Sequence, residues 1–117
     1  MSDKITVYGF DESTYVRTVR MVLADKGAEY DLVPVNIMEG EGTQPEHLAR
    51  HPFGKIPVLE HGKKRLYETS AITRYLNDAL PGKSVIPDST MNRARMDMAM
   101  AIHDSYGYGA LIGLAAQ

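Results

Sequence analysis

The chain has 117 residues, 44% of them apolar and 24% charged, which is enough for one domain and a piece of another. Its net charge of −2 gives no electrostatic reason to expect nucleic acid or an acidic membrane as partner. Cysteine is absent, which excludes disulfides, thiolate metal sites and a cysteine nucleophile.

The N-terminus, MSDKITVYGF, lacks a basic segment followed by a long apolar one, so it does not read as a secretory signal. No apolar run approaches the roughly 20 residues of a membrane helix, and the expected home is cytoplasmic. Residues 4–8, KITVY, alternate as a short strand, with Ile5 and Val7 on one face and Thr6 and Tyr8 on the other. Gly9 ends it. A helix begins around Ser13 and Thr14. Val16, Val19, Val22 and Leu23 mark its apolar face, with Arg17, Arg20 and Lys26 largely off it. Gly27 fits its C-terminal cap. YDLVPV, 30–35, reads as a second strand, and Pro34 places it at an edge.

Residues 36–50 read as a loop with Gly40 and Gly42, then a short helix PEHLAR with Pro45 in its first turn. IPVLE, 56–60, is a third strand and KRLYE, 63–67 or 68, a fourth, joined by the tight turn HGKK. Lys63, Lys64 and Arg65 read as a solvated turn that discourages edge pairing. Thr69 opens a helix to Leu80, with Ile72, Tyr75, Leu76, Ala79 and Leu80 on one buried face. As an N-cap, its hydroxyl would accept from an N–H two or three residues on. PGKSVIPDS, 81–89, is a linker. A last helix begins near Thr90, with Met91, Ala94, Met98 and Ile102 along one face; Gly107, Gly109 and Gly113 weaken its later turns. The histidines His47, His51, His61 and His103 show no two-ligand spacing, and no metal is expected.

The order β-α-β-α-β-β-α, with a proline opening the third strand, resembles the N-terminal domain of the cytosolic glutathione transferases, a thioredoxin-like α/β fold. Three segments carry the resemblance: YGFDESTYVRTVRMVL, HPFGKIPVLE and YETSAITRYL. It implies a thioredoxin-like glutathione-binding domain over 1–80, the linker 81–89, and over 90–117 the first helix region of an all-α domain cut off by the end of the sequence. It further implies that Ile56–Pro57 is cis, exposing the backbone of Ile56 to a bound peptide. Glutathione's γ-glutamyl carboxylate then lies at Thr69, where the family usually has serine, with Glu68 facing its α-ammonium and Lys55 near its glycyl end. The residues before the second helix, EGEGTQPEH, lack the basic groups some relatives carry there.

Catalysis in such a family needs a thiolate. A free thiol with a pKa of about 8.5 is only a few per cent ionised at pH 7. One hydrogen bond to the charged sulfur, worth roughly 1.5–3 kcal/mol, lowers that pKa by about one to two units. By resemblance the hydroxyl is that of Ser13, which precedes Arg17 by four residues, or alternatively Tyr8, with Thr14 and Tyr15 behind them. Asp11 and Glu12 depart from the family's small or apolar residues, and carboxylates facing the site raise the thiol pKa.

The expected function is therefore a glutathione transferase: glutathione as co-substrate, a small electrophile as second substrate, and a homodimer paired through the third and fourth helices. The alternative is a non-enzymatic binding or assembly module of the same fold. A glutaredoxin-like oxidoreductase fails for want of a cysteine.

Overall fold

The computed structural model describes residues 3–110. In chain order it contains β1 (Ile5–Gly9), α1 (Thr14–Asp25), β2 (Asp31–Pro34), α2 (Pro45–Leu48), β3 (Val58–His61), β4 (Lys64–Tyr67), α3 (Thr69–Ala79) and α4 (Thr90–Ile102). The chain divides into two compact units, Met1–Val85 and Ile86–Gln117. The division falls inside residues 81–89.

The first unit is built on a four-stranded sheet in the order β2-β1-β3-β4. β1 and β2 run parallel, so the chain must cross over between them, and α1 makes that crossing. β3 is antiparallel to both β1 and β4. Pro34 sits on the edge strand, where its missing donor costs no ladder bond.

Alternation along β1 sorts the two faces. Ile5 and Val7 are buried with Leu59, which stands opposite Val7. Val16, Val19 and Leu23 of α1 and Ile72 and Leu76 of α3 complete the same apolar cluster. Each such burial stabilises by roughly 1.5–3 kcal/mol. Gly9 belongs to β1 and does more than end it: a Cβ there would stand 2.4 Å from Val16 Cγ2, so only glycine lets α1 pack this close. α1 closes at Gly27, which has φ +66°. The Gly27 N–H donates to the Ala24 carbonyl and the Ala28 N–H to the Leu23 carbonyl, a Schellman closure.

Several boundaries differ from the sequence reading. β3 begins at Val58, after Pro57, because proline offers no N–H to the ladder. β2 is Asp31–Pro34 rather than 30–35, and β4 is Lys64–Tyr67. The hairpin turn is only Gly62 and Lys63, with His61 paired to Lys64. The expected loop 36–44 holds two 3-10 turns, Ile37–Glu39 and Glu41–Thr43, and the short helix stops at Leu48. Lys26 is buried rather than off the core: its Nζ reaches the Asn77 carbonyl at 3.0 Å, with its aliphatic stem covered. Ala79, placed on the buried face of α3, is exposed.

In the second unit, the Ser89 hydroxyl caps α4 by accepting from the Asn92 N–H at 3.0 Å. Met91, Ala94, Met98 and Ile102 do fall along one face of α4, and all four are exposed in the single chain. A periodic stripe states what a helix needs covered, not what covers it. The helix loosens into a π-helical turn over His103–Gly107. Gly113 and the terminal LIGLAAQ lie outside the described residues.

Candidate functional site

The sheet register brings three chain segments to one end. Tyr8, Val58 and Tyr67 are cross-strand partners in one row. The chain runs from that row through Gly9 to Ser13, enters it through Pro57, and leaves it at Glu68. Gly9, Pro57 and Glu68, each next to that row, therefore lie at one end of the sheet, with Ser13 following Gly9 by four residues and Ile56 and Thr69 adjoining Pro57 and Glu68.

Ser13 is the N-cap of α1, in extended conformation, and its Oγ accepts from the Val16 N–H at 3.3 Å. Accepting that bond leaves the hydroxyl proton available to donate. Its carbonyl receives the Arg17 N–H at 2.9 Å, and its own N–H donates to the Phe10 carbonyl at 3.1 Å. The S-x-x-x-R spacing acquires a local meaning here: Arg17 Nε donates to the Asp11 carbonyl at 2.7 Å, closing the turn before Ser13. The Asp11 carboxylate pairs with the Arg20 guanidinium, which also donates to the Tyr30 hydroxyl at 2.9 Å. The acidic departure at Asp11 thus carries its own counter-charge. Glu12 is exposed.

Tyr8 is engaged elsewhere. Its hydroxyl donates to Glu60 Oε1 at 2.7 Å, on the sheet face opposite the core. The Arg50 guanidinium lies 4.1 Å from its ring centroid. The hydrogen bond to Glu60, then burial, pushes the phenol's pKa above its ordinary value. The same bond, helped by Arg65, holds the Glu60 carboxyl below its usual range. Thr14 is the first residue of α1 and exposed, and Tyr15 follows it half-buried.

The Ile56–Pro57 bond is cis, as expected. The loop before it is held by two buried histidines that sequence reasoning tested only as metal ligands. A ring N–H at His47 Nε2 donates to the Lys55 carbonyl over 2.7 Å. His51 Nδ1 accepts from the Phe53 N–H at 3.2 Å. Contrary to the expectation that no two histidines share a ligand spacing, His47 and His51 stand at i, i+4 in PEHLARH, and that pair was their signal. Gly42 and Gly54 pack backbone to backbone: a Cβ on Gly42 would fall 2.4 Å from the Gly54 carbonyl oxygen. Lys55 itself is exposed and Ile56 half-buried, while Pro57 is buried.

Thr69 is not the N-cap of α3. It is the first helical residue, and Glu68 occupies the cap position without a side-chain capping bond. Glu68 has φ 77° and ψ 118°, the one positive φ outside glycine among the described residues. Such a conformation costs about 1–3 kcal/mol and gathers at ligand sites. A helix mouth without a side-chain cap presents backbone N–H groups and a partial positive charge. Glu68 Oε2 stands 3.7 Å from His51 Nε2. Burial lowers the His51 pKa below 6.5, outweighing the neighbouring Glu68 carboxylate.

Two surface depressions lie elsewhere, about 680 Å³ beside Lys4, Tyr30 and Asp31 and about 450 Å³ beside Pro34, Gln44 and Arg50; neither is lined by Ser13, Pro57 or Thr69. Among the described residues, no group of three or more His, Cys, Asp or Glu is placed to hold a metal ion. No helix among them is long and apolar enough to cross a membrane.

Comparison with known proteins bears on the same segments. Residues 3–78 match the family model described as glutathione S-transferase, N-terminal domain. The chain is 44% identical over 72 residues to glutathione S-transferase 4 of Zea mays, covering 62% of this chain and 32% of that one. It is 34% identical over 104 residues to glutathione S-transferase 3 of Zea mays, covering 87% and 46%. Among solved structures, a glutathione transferase homolog from Drosophila mojavensis with bound glutathione superposes with a TM-score of 0.81 at 32% identity, over 88% of this chain and 48% of that one. The chain thus spans about a third to a half of the length of these relatives.

Proposed function

Because the chain belongs to the glutathione S-transferase family, we propose that its first unit binds glutathione and activates the thiol as thiolate for attack on an electrophilic substrate. One observation carries the reading: a helix-capping hydroxyl with an uncommitted proton, the cis Ile56–Pro57 junction and a second helix mouth without a side-chain cap lie toward one end of a single sheet.

Each residue has a physical task. The Ser13 hydroxyl, accepting from Val16, donates its proton toward the sulfur, and the positive end of α1 adds roughly 0.3–1 kcal/mol. The first N–H groups of α3 and the Thr69 hydroxyl receive the γ-glutamyl carboxylate. Glu68 faces the α-ammonium. Ile56, lying just before the β3 ladder, offers its backbone to the extended tripeptide, much as a strand edge would. Pro57 supports that edge, and Lys55 reaches the glycyl carboxylate. Tyr8 stays outside the chemistry because its proton is given to Glu60. The thiolate then forms a bond from sulfur to the electrophilic carbon, and the electron pair leaves with the displaced group.

Family membership also supports a cytoplasmic enzyme working as a homodimer, with residues 90–117 opening a helical second domain. Calorimetric titration with glutathione tests the reading. Binding that raises the thiolate absorbance near neutral pH is the expected result. A flat titration removes it, leaving a non-enzymatic module of the same fold.

A further inference from the structure

His51 joins two of the three site segments. Its side chain is 2% exposed. Nδ1 is occupied as acceptor from the Phe53 N–H, which puts the proton of the neutral ring on Nε2. That nitrogen faces Glu68 Oε2 at 3.7 Å. The Tyr67 ring packs on the imidazole at 4.4 Å between centroids and Phe53 meets it edge-on at 6.0 Å, so the ring is fixed in this direction. His47, by contrast, turns its Nε2 to a backbone partner, the Lys55 carbonyl. Glu68, meanwhile, is held in a backbone conformation that a non-glycine residue disfavours.

We propose that His51 is a positioning residue for ligand recognition: from the loop that carries Lys55, Ile56 and Pro57, it orients the Glu68 carboxylate to receive the α-ammonium of a bound γ-glutamyl peptide. This rests on the glutathione reading above. At 3.7 Å the pair is a directed electrostatic contact longer than a full hydrogen bond. Because Glu68 is exposed, the contact is worth at most about 1 kcal/mol, or roughly a five-fold change in affinity. Its consequence is selectivity for the ammonium rather than bulk binding strength. The groups facing His51 are the Glu68 carboxylate, the His47 imidazole and the rings of Tyr67 and Phe53.

His51→Asn tests it. The shorter amide still accepts from the Phe53 N–H, as Asn does in such turns, but no longer reaches Glu68. The dissociation constant for glutathione should rise about three- to five-fold. That for an analogue lacking the α-amino group should stay unchanged, and the effect should vanish in a Glu68→Gln background. Equal weakening for both ligands overturns the proposal, because a structural role does not distinguish them. A second measurement does not depend on the His51 variant folding. In Glu68→Gln, whose altered side chain is exposed, the His51 imidazole followed by NMR should titrate at lower pH than in the unaltered chain, since the carboxylate that favours imidazolium is gone. An unmoved titration overturns the contact. If the unaltered chain binds neither peptide, the glutathione reading is what fails, and the NMR titration still decides the pairing.

Discussion

The mouths of α1 and α3 lie at the same end of the sheet and are built in opposite ways. At α1, Ser13 folds its oxygen over the Val16 N–H, an ordinary cap worth about 1 kcal/mol, and keeps a proton to give. At α3, Glu68 makes no capping bond and holds a positive φ that costs about 1–3 kcal/mol. One mouth stabilises the fold and can serve chemistry with the same atom. The other gives up stability and leaves its first N–H groups without a side-chain acceptor, as the proposed carboxylate site needs. A capped mouth can still donate through the capping hydroxyl, whereas an uncapped one keeps its backbone N–H groups open to an anion.

Ser13→Ala should have the largest effect of the substitutions at the two mouths. The pKa of bound glutathione should rise by about one to two units, read as thiolate absorbance against pH. Loss of the cap should also cost about 1 kcal/mol in denaturant unfolding. A thiolate titration left where it was would transfer the role to another hydroxyl. Glu68→Gly should act in the opposite sense on stability. Relief of the positive φ, offset by the greater freedom of glycine when unfolded, should leave the chain about 1 kcal/mol more stable while glutathione binding weakens. A less stable Glu68→Gly protein would mean that the conformation at Glu68 is not strained.

Tyr8→Phe sharpens the contrast between the two hydroxyls. It should cost about 1 kcal/mol through the lost bond to Glu60 and leave the thiolate titration unmoved. The smallest effect is one of pH. Burial lowers the folded His51 pKa below 6.5, so the unfolded chain takes up more protons as pH falls through 6.5. Stability should therefore decline from pH 7.5 to 5.5, and His51→Asn should flatten that slope. Glu60 acts lower: its contribution is present above about pH 4.5 and is lost as pH falls through its lowered value.

The strands and helices of the first unit were legible because their cause is local. Alternation in ITVY, the spacing of Val16, Val19 and Leu23, and Gly27 past the end of α1 each act within one turn or one strand. The three family segments were legible too, and with them the cis Ile56–Pro57 bond. Errors gathered where a residue's role depends on a distant partner. Lys26 looked solvent-facing until α3 supplied the Asn77 carbonyl. Thr69 looked like a cap because hydroxyls usually are, yet the chain leaves β4 by a positive φ at Glu68.

The order of elements, the family, the absence of thiol and disulfide chemistry from the side chains and a short set of candidate groups were all readable from the sequence. Periodicity, turn residues and composition are properties of neighbouring positions, and they need no third dimension to act. Tertiary structure alone decided which candidates meet and which are already spent. The row Tyr8, Val58 and Tyr67 draws three segments together, Glu60 claims the Tyr8 proton, Arg20 claims the Asp11 charge, and His51 turns toward Glu68. Hydrogen bonds and charge pairs between residues tens of positions apart follow from strand register and packing, which no local pattern encodes.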